Sequence, residues 1–439
     1  MKNCYYLYII IFLLILHNYQ YVKEYFSPIN KILAYLSKPS YYIDEEIELK
    51  ISSIFNICNL QIFNIHPSTN KIRHISIDDY KIIYEKKGIK TKQQSTPAYS
   101  FAEGCNWTTT YSFKLNQNLK SDMYIIKLYN GLTIHYLILL IKNRTPSAKN
   151  IVLMNTNTWQ AYNNFDGASL YTYTSPHKKY FLDTNRPSTQ VSYQRPFPKQ
   201  SSMILNYIQL GQKYKGLHIV YSELIFLKWC KLNNIQYDIT TDYDLHNNYD
   251  IYSYKTFILC GHPEYWTTQM INNVYKFQIQ NGNIISLGGN SLYREIKLNN
   301  NIIIPVINQK TNTTISYFNN PIKSKIINII GGFFNGAGMD KYYDYSKSKN
   351  HWIYFDTNLK IGQNICKKYK PLGHEIDIIV NNSNILAKGP FNSGLIMFNS
   401  HVGTGRVFAS GSITYCSCLL YEPNLSTITA NVIKNFEKK

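Results

Sequence analysis

From residue 151 onwards, apolar strands alternate with amphipathic helices, and this alternation restricts the fold more than any other feature of the chain. The segments that carry the pattern are 151–154 (strand), 222–232 (helix), 237–240 (strand), 256–260 (strand), 267–281 (helix) and 283–287 (strand). Repeated strand, helix, strand units with glycines at the strand ends predict a mostly parallel sheet flanked by helices. We therefore expect an α/β domain over residues 150–439, with 394–398 and 403–412 forming a late hairpin in it.

Residues 28–146 have a different texture, with short runs of alternating apolar and polar residues between turns. The runs are 41–43, 47–51, 60–65, 109–115, 123–128 and 136–141. A period of two without a long helical pattern predicts a small antiparallel β-sandwich. Cys58 and Cys105 fall in this segment and are candidates for a disulfide between its two sheets.

The amino terminus reads as a targeting segment, assigned to residues 1–20. Lys2 precedes an uncharged, mostly apolar run over 4–16, which matches a signal-peptide core and is short for a bilayer span of ~20 residues. Because 17–20 is a poor cleavage site, the run is either a signal peptide or a retained membrane anchor. We expect the secretory pathway, with the protein secreted or membrane-anchored. A buried amino-terminal element is the other interpretation.

The net charge of +20 does not indicate a nucleic-acid partner, although such a charge often does. The lysines are scattered singly among Ile, Asn and Tyr rather than gathered into a basic stripe. We read this charge as a solvated surface. The expected partner is a small molecule, and a homo-oligomer stays open.

The segment 257–266 carries the clearest chemical signal. An apolar strand ends in Gly261, and His262 and Glu264 follow two residues apart, separated by Pro263. In extended backbone these two side chains point to the same side, and the carboxyl end of a strand in an open α/β sheet is where ligands bind. The pair then serves as metal ligand with a supporting group, or as acid and base. Alternatively, it caps the following helix.

Several motifs, taken together and in order, resemble the N,N-dimethylformamidase large (beta) subunit-like family. They are Thr158-Trp159-Gln160-Ala161-Tyr162-Asn163, Gly167-Ala168-Ser169-Leu170-Tyr171, Val191-Ser192-Tyr193-Gln194-Arg195-Pro196-Phe197, the box Gly261-His262-Pro263-Glu264-Tyr265-Trp266, Gly288-Gly289-Asn290, His351-Trp352 and Glu375-Ile376-Asp377. The resemblance covers most of residues 150–415 and implies a glutamine-amidotransferase-like sheet for the α/β domain.

The resemblance also implies an activity, a mononuclear ferric (Fe3+) amidohydrolase that holds iron through two tyrosinates and one glutamate. Carried over to this chain, Glu264 is the carboxylate ligand and Tyr162 and Tyr193 are the tyrosinates, with Tyr171 as the substitute for either. His262 and Asn290 become catalytic groups, the histidine moving a proton to the leaving amine and the asparagine holding the oxyanion. Tyr171 and Trp266 are expected to contact a small amide substrate.

Other interpretations of the same residues stay open. With 40 tyrosines in the chain, a tyrosine at a strand end is often there for packing. Asn290 after two glycines also suits a left-handed turn. Glu375 and Asp377 either position substrate or face water.

The preferred function is a metal-dependent hydrolase of C–N amide bonds. The alternative is a non-catalytic extracytoplasmic binding or surface protein with the same fold. A cysteine nucleophile at Cys260 is a weaker third reading, because the residues after it are not the small ones of a nucleophile elbow.

Overall fold

The computed structural model describes residues 31–67, 79–116, 118–172, 188–209, 219–308, 313–317, 320–339, 341–380 and 384–438. The predicted targeting segment, residues 1–20, lies outside these residues. None of the helices in the described ranges is long and apolar enough to cross a membrane.

Two sheets face each other in the amino-terminal part. Their strands are β1 (Ile32–Leu36), β2 (Tyr41–Tyr42), β3 (Ile47–Ser53), β4 (Ile57–Pro67), β5 (Tyr80–Lys90), β6 (Tyr111–Phe113), β7 (Asp122–Asn130) and β8 (Thr133–Lys142). One sheet has the order β1-β3-β6 and the other β2-β8-β7-β4-β5. Alternate residues such as Leu49 of β3 and Ile126 of β7 meet between the sheets in one apolar core. The pairs are antiparallel except for β2 with β8, which is parallel.

The carboxyl-terminal part is built on a sheet of eight strands. The remaining strands of the chain are β9 (Asn150–Met154), β10 (Val191–Ser192), β11 (Asp238–Thr241), β12 (Thr256–Gly261), β13 (Tyr265–Trp266), β14 (Asn283–Gly288), β15 (Arg294–Asn299), β16 (Ile302–Pro305), β17 (Ile307–Asn308), β18 (Thr313–Thr314), β19 (Gly332–Phe334), β20 (Tyr342–Tyr343), β21 (Ser346–Lys347), β22 (Leu372–Gly373), β23 (Asp377–Ile379), β24 (Asn384–Lys388), β25 (Gly394–Asn399) and β26 (Arg406–Ala409). The large sheet has the order β11-β9-β12-β14-β26-β25-β24-β21. Its first five strands are parallel, whereas β25, β24 and β21 continue it antiparallel. The predicted late hairpin corresponds to β25 and β26.

Helices cover both faces of this large sheet, and the strands alternate between the two layers. The helices are α1 (Ser100–Glu103), α2 (Thr156–Tyr162), α3 (Pro198–Gln209), α4 (Tyr221–Leu232), α5 (Asp242–His246), α6 (Thr268–Ile279), α7 (Lys323–Ile330), α8 (Tyr415–Cys418) and α9 (Pro423–Phe436). Val152 and Met154 of β9 pack in the layer that holds α4 and α9. Ile151 and Leu153 pack with α6 and α7 on the other face. Burial on both faces explains why these strands read as continuous apolar runs.

Smaller sheets extend the molecule beside the carboxyl ends of the parallel strands. A four-stranded sheet has the order β10-β16-β15-β13, and β17-β18, β19-β23 and β20-β22 form two-stranded pairs. Strand β13 holds the last two residues of the 257–266 segment, and β23 begins two residues after Glu375. These short strands therefore hold the loops in which the predicted site residues lie.

The amino-terminal sheets are joined to the large sheet by a shared apolar core. The outer face of the five-stranded sheet contributes residues such as Ile125 and Ile138 to the same cluster as Val152 and Ile225. Polar links reinforce the junction. The Lys142 side chain forms a buried ion pair with Asp244. Tyr237 donates a hydrogen bond to Asp122 Oδ1 at 2.9 Å.

The predicted disulfide between Cys58 and Cys105 is wrong. Both thiols are free, as are the other cysteines in the described part of the chain. Cys58 packs between the two amino-terminal sheets. Cys105 packs instead with Tyr35 and Trp107 in a separate small cluster, so the two sulfur atoms belong to different parts of the core.

Candidate functional site

His262 and Glu264 meet at the carboxyl end of β12, although the backbone between them is not extended. The Glu264 N–H donates to the His262 carbonyl at 3.0 Å, which closes a tight three-residue turn centred on Pro263. The turn still brings the two side chains together, with His262 Nε2 3.3 Å from Glu264 Oε2. Both side chains are 2% exposed.

The capping alternative for this pair is wrong. Helix α6 is capped by Thr267, whose hydroxyl accepts a hydrogen bond from the Met270 N–H at 3.2 Å. The side chains of His262 and Glu264 therefore do not serve as the cap of this helix.

A second carboxylate, that of Glu375, lies against the same imidazole. Glu375 Oε2 lies 3.2 Å from His262 Nε2 and accepts a hydrogen bond from Asn290 Nδ2 at 2.9 Å. Asn290 in turn is fixed by its backbone N–H, which donates to Asp377 Oδ1 at 2.9 Å. His262, Glu264, Glu375 and Asn290 thus form one connected buried network.

Three residues of this region hold left-handed backbone conformations. Asn290 has φ of 47°, as the turn interpretation predicted, and the consecutive residues His374 and Glu375 have φ of 52° and 73°. For residues other than glycine, such conformations cost on the order of 1–3 kcal/mol each and persist where the surrounding structure imposes them. Positive φ is not confined to this region, because residues such as Val220 and Phe391 adopt it elsewhere in the described chain.

The charges in the network favour an imidazolium held between carboxylates. Burial acts to lower the pKa of His262, but the hydrogen bond with Glu375 and the charges of Glu264 and Glu375 outweigh it and raise that pKa. Burial also opposes ionisation of Glu375, yet its contacts with His262 and Asn290 lower the pKa of its carboxyl to about 2. Burial raises the pKa of Glu264. These shifts favour a protonated His262 with Glu375 as its main counter-ion.

Two of the three predicted tyrosines lie beside Glu264. The Tyr171 hydroxyl donates to Glu264 Oε2 at 2.6 Å. The Tyr162 ring lies 4.1 Å, centroid to centroid, from the Tyr171 ring and 5.8 Å from the His262 ring. Tyr162 is the last residue of helix α2, which follows β9 in the chain. Tyr171 lies in the loop after α2 and is 37% exposed. The phenols of Tyr162 and Tyr171 and the Glu264 carboxylate are thus brought together.

The structure does not bring Tyr193 or Trp266 to this group. The Tyr193 hydroxyl donates to Asn157 Oδ1 at 2.6 Å and lies 3.1 Å from Thr156 Oγ1. Its polar contacts are therefore with the first turn of α2. Burial raises the pKa of Tyr193, and the carboxylate that raises it most is Asp242 rather than Glu264. Trp266 is 1% exposed and packs in the α6 layer, and its indole N–H donates to the Pro263 carbonyl at 2.9 Å.

Sequence reasoning missed Arg294 and Glu223. Arg294 Nε lies 3.4 Å from Glu264 Oε1, which places a permanent cation against the carboxylate. Glu223, at the start of α4, is 1% exposed and accepts hydrogen bonds from Asn155 Nδ2 and Trp159 Nε1, each at 2.9 Å. Burial raises the pKa of Glu223 to about 7. No local pattern in the sequence marks either residue.

Cys260 does not resemble an activated nucleophile. Its side chain is fully buried in the sheet core, and burial raises the pKa of its thiol well above the ordinary value. A nucleophilic cysteine instead needs a lowered pKa and access to substrate.

The site offers hard oxygen donors rather than a conventional cluster of metal-binding side chains. Among the described residues, no group of three or more His, Cys, Asp or Glu side chains is arranged to hold a metal ion. Glu264 with the phenols of Tyr162 and Tyr171 is a set of a different type, two phenol oxygens and one carboxylate. Such a set suits a hard, highly charged cation once the phenols have lost their protons.

Comparison with known proteins gives one extended match. Residues 81–426 match the family described as N,N-dimethylformamidase beta subunit-like, C-terminal. The sequence matches no curated protein.

Similarities to solved structures are weak. A β-galactosidase from Rahnella sp. R3 has 10% identity and a TM-score of 0.36, covering 66% of this chain and 31% of its own. The mmIFT52 N-terminal domain has 14% identity and a TM-score of 0.30, covering 49% of this chain and 90% of its own. This chain thus spans less than a third of the β-galactosidase, and neither similarity carries an argument about function.

Proposed function

Because the chain belongs to the N,N-dimethylformamidase beta subunit-like family, we propose that it is a metal-dependent hydrolase of C–N amide bonds in small or peptide-like molecules. The observation that carries the proposal is the convergence of His262, Glu264, Tyr162 and Tyr171 at the carboxyl ends of β9 and β12. That edge of an open α/β sheet is where ligands bind.

The donor set fits a ferric ion held by Tyr162, Tyr171 and Glu264. Burial and then the negative charge of Glu264 raise the pKa of both phenols above their ordinary value, so neither ionises in this environment without a nearby cation. If a trivalent ion were bound, Glu264 and the two phenols, held as phenolates, would supply three anionic oxygens that neutralise its charge. Tyr171 and Glu264 are already in direct contact, because the Tyr171 hydroxyl donates a hydrogen bond to the Glu264 carboxylate.

Tyr171 replaces Tyr193 in this assignment. We assign Tyr171 rather than Tyr193 as the second phenol ligand because of their contacts. The Tyr171 hydroxyl donates to Glu264, whereas the Tyr193 hydroxyl donates to Asn157. When bound, a ferric ion supplies Lewis acidity toward the amide carbonyl and lowers the pKa of a water molecule.

The remaining residues handle the proton. His262 carries a proton that Glu375 stabilises, and this imidazolium is the group that protonates the leaving amine nitrogen. Asn290 acts first as a positioning residue, because one of its amide hydrogens already holds Glu375 Oε2. Its second amide hydrogen is the one left for an oxyanion, the role expected from the sequence.

Arg294 and the exposed part of Tyr171 complete the site. Arg294 lies against Glu264 Oε1, the oxygen that does not receive the Tyr171 hydrogen bond, and so orients the carboxylate. Because Tyr171 is the most exposed member of the group, we place the substrate entrance on its side.

The test measures iron content and visible absorption of the purified full-length protein, together with Glu264→Ala and the exposed control Glu46→Ala. We expect stoichiometric iron and a tyrosinate-to-iron charge-transfer band, which Glu264→Ala abolishes and Glu46→Ala retains. Amine release from a panel of small amides then measures hydrolysis.

Two results would count against the proposal. A colourless protein that stays free of metal after reconstitution with iron would contradict the ferric site. In that case, binding of small amides without turnover would leave the alternative of a non-catalytic binding or surface protein.

A further inference from the structure

Four large apolar side chains are exposed at one end of the amino-terminal sheets. They are Ile54, Ile57, Leu132 and Ile134, with 49%, 49%, 101% and 43% of their surface exposed. We call these four residues the apolar tip. Ile57 opens β4, and Leu132 lies in the turn between β7 and β8. Asn130, at the start of that turn, donates from Nδ2 to the Ile57 carbonyl at 2.8 Å, so the two loops are adjacent.

The four residues of the apolar tip are unusual because they lie together. Single exposed apolar residues are ordinary on a protein surface and need no explanation. Several of them on adjacent loops form a patch, and such patches mark contacts with other molecules or with membranes.

The described chain begins at this end of the molecule. The Ile54 N–H donates to the Lys31 carbonyl at 3.1 Å, so residues 1–30 join the protein beside the apolar tip. Their sequence includes the run 4–16, which has 13 uncharged and mostly apolar residues. Lys31, the first described residue after this run, therefore lies beside the apolar tip.

Exposed lysines surround the same loops. Lys31 is exposed beside Ile54, and Lys90 is exposed opposite Ile57 in the β4–β5 pair. Lys92 is also exposed, and its carbonyl accepts a hydrogen bond from the Ser53 N–H at 3.2 Å. Lysines around an apolar patch complement a surface of anionic lipid headgroups, where each contributes about 1 kcal/mol of attraction.

The apolar tip lies far from the junction with the large sheet. Strand β7 runs from Asp122, which bonds Tyr237 at the junction, to Asn130 at the tip. At ~3.4 Å per residue this distance is roughly 27 Å. Contact at the tip therefore leaves the network around His262 away from the contact surface.

We propose that the apolar tip docks on an anionic lipid bilayer, in addition to the attachment that the sequence predicts for residues 4–16. For lipid-anchored proteins a single acyl chain gives weak, reversible membrane attachment, and stable anchoring takes two signals. The tip supplies apolar side chains for the interface and lysines for the headgroups. This proposal is independent of the amidohydrolase assignment, because it involves none of the residues of that site.

The test uses the full chain with an environment-sensitive fluorophore on Leu132→Cys. Cysteines in the described residues are buried, and Cys4 is changed to Ser so that the introduced thiol is the one labelled. The matched control carries the same label on Ile361→Cys, an exposed apolar position of the carboxyl-terminal part at 59% exposure. Vesicles of phosphatidylcholine, with and without phosphatidylserine, are prepared with quencher-bearing acyl chains.

We expect the label at 132 to shift to the blue and to be quenched by vesicles with phosphatidylserine, while the label at 361 does not respond. Lys31→Gln with Lys90→Gln should lower the ratio of docked to undocked tip by about thirtyfold, since each lysine contributes about fivefold. Equal responses at 132 and 361 on vesicle-bound protein would overturn the proposal. A label at 132 that is already blue-shifted without vesicles would also overturn it, because the tip would then be covered by protein.

Discussion

A buried histidine in the amino-terminal sheets makes the stability of the protein sensitive to acid. His135 lies in β8 between the exposed Ile134 and the buried Tyr136 and is 5% exposed. Burial lowers its pKa to about 4. The ring nitrogen Nε2 has no hydrogen-bond partner among the described residues, so a proton gained there would be a charge without compensation.

The sign and size of the effect follow from linkage. The pKa of His135 in the folded protein lies below the ordinary value of ~6.5, so the unfolded chain binds the proton more readily. The stability is therefore fully present above pH ~6.5 and is lost as the pH falls towards 4. A difference of about 2.5 pKa units corresponds to roughly 3 kcal/mol in total, of which about 2 kcal/mol is lost between pH 7.5 and pH 5.

The measurement compares wild-type protein with His135→Leu in urea unfolding at pH 7.5 and pH 5. Leucine keeps the side chain apolar and similar in size, so we expect the variant to lose about 2 kcal/mol less stability on acidification than the wild type. His401→Leu, at an exposed position, serves as the control and should follow the wild type. If His135→Leu and the wild type lose the same stability between these pH values, the reasoning is refuted.

Three further predictions concern the site and its support. Tyr171→Phe should reduce the charge-transfer absorption of the iron-loaded protein, whereas Tyr193→Phe should leave it unchanged; loss of the band in Tyr193→Phe alone would reverse the assignment. Glu375→Gln should lower kcat for amide hydrolysis by roughly 10²-fold or more while iron content stays stoichiometric, and unchanged turnover would exclude the proton-transfer role. Gly261→Ala should lower the thermal midpoint more than Gly131→Ala, because both have positive φ but only at 261 would a Cβ lie 3.1 Å from the Ser222 Cβ. Equal midpoints in these two variants would show that packing around 261 adapts without cost.

Strands with a continuous apolar run or a regular alternation could be located from the sequence, whereas strands with neither pattern could not. The predicted segments 151–154 and 256–260 correspond to β9 and β12, because burial on both faces selects apolar residues throughout. Strand β5 was not predicted. Its residues Tyr80–Lys90 include four lysines and are exposed at consecutive positions, so no regular alternation is visible.

Some residues of the candidate site could likewise be predicted from the sequence, and others could not. His262 and Asn290 directly follow predicted strands, and the ends of neighbouring parallel strands meet at one edge of a sheet. Glu375 arrives from more than a hundred residues away through short strands, which no local pattern encodes. The choice between Tyr171 and Tyr193 was equally out of reach. It depends on the path of the chain beyond α2, and both residues look alike in a sequence with 40 tyrosines.

The apolar core that runs from the five-stranded sheet into the large sheet has a consequence for how the protein can be divided. Cutting the chain near residue 146 would uncover Ile125 and Ile138 on one piece and Ile225 on the other. Each fragment would present a wet apolar surface and would be prone to aggregate. We therefore do not expect the two parts to fold as independent domains. An insertion or fusion that keeps the protein soluble must leave the apolar core shared by the two parts intact.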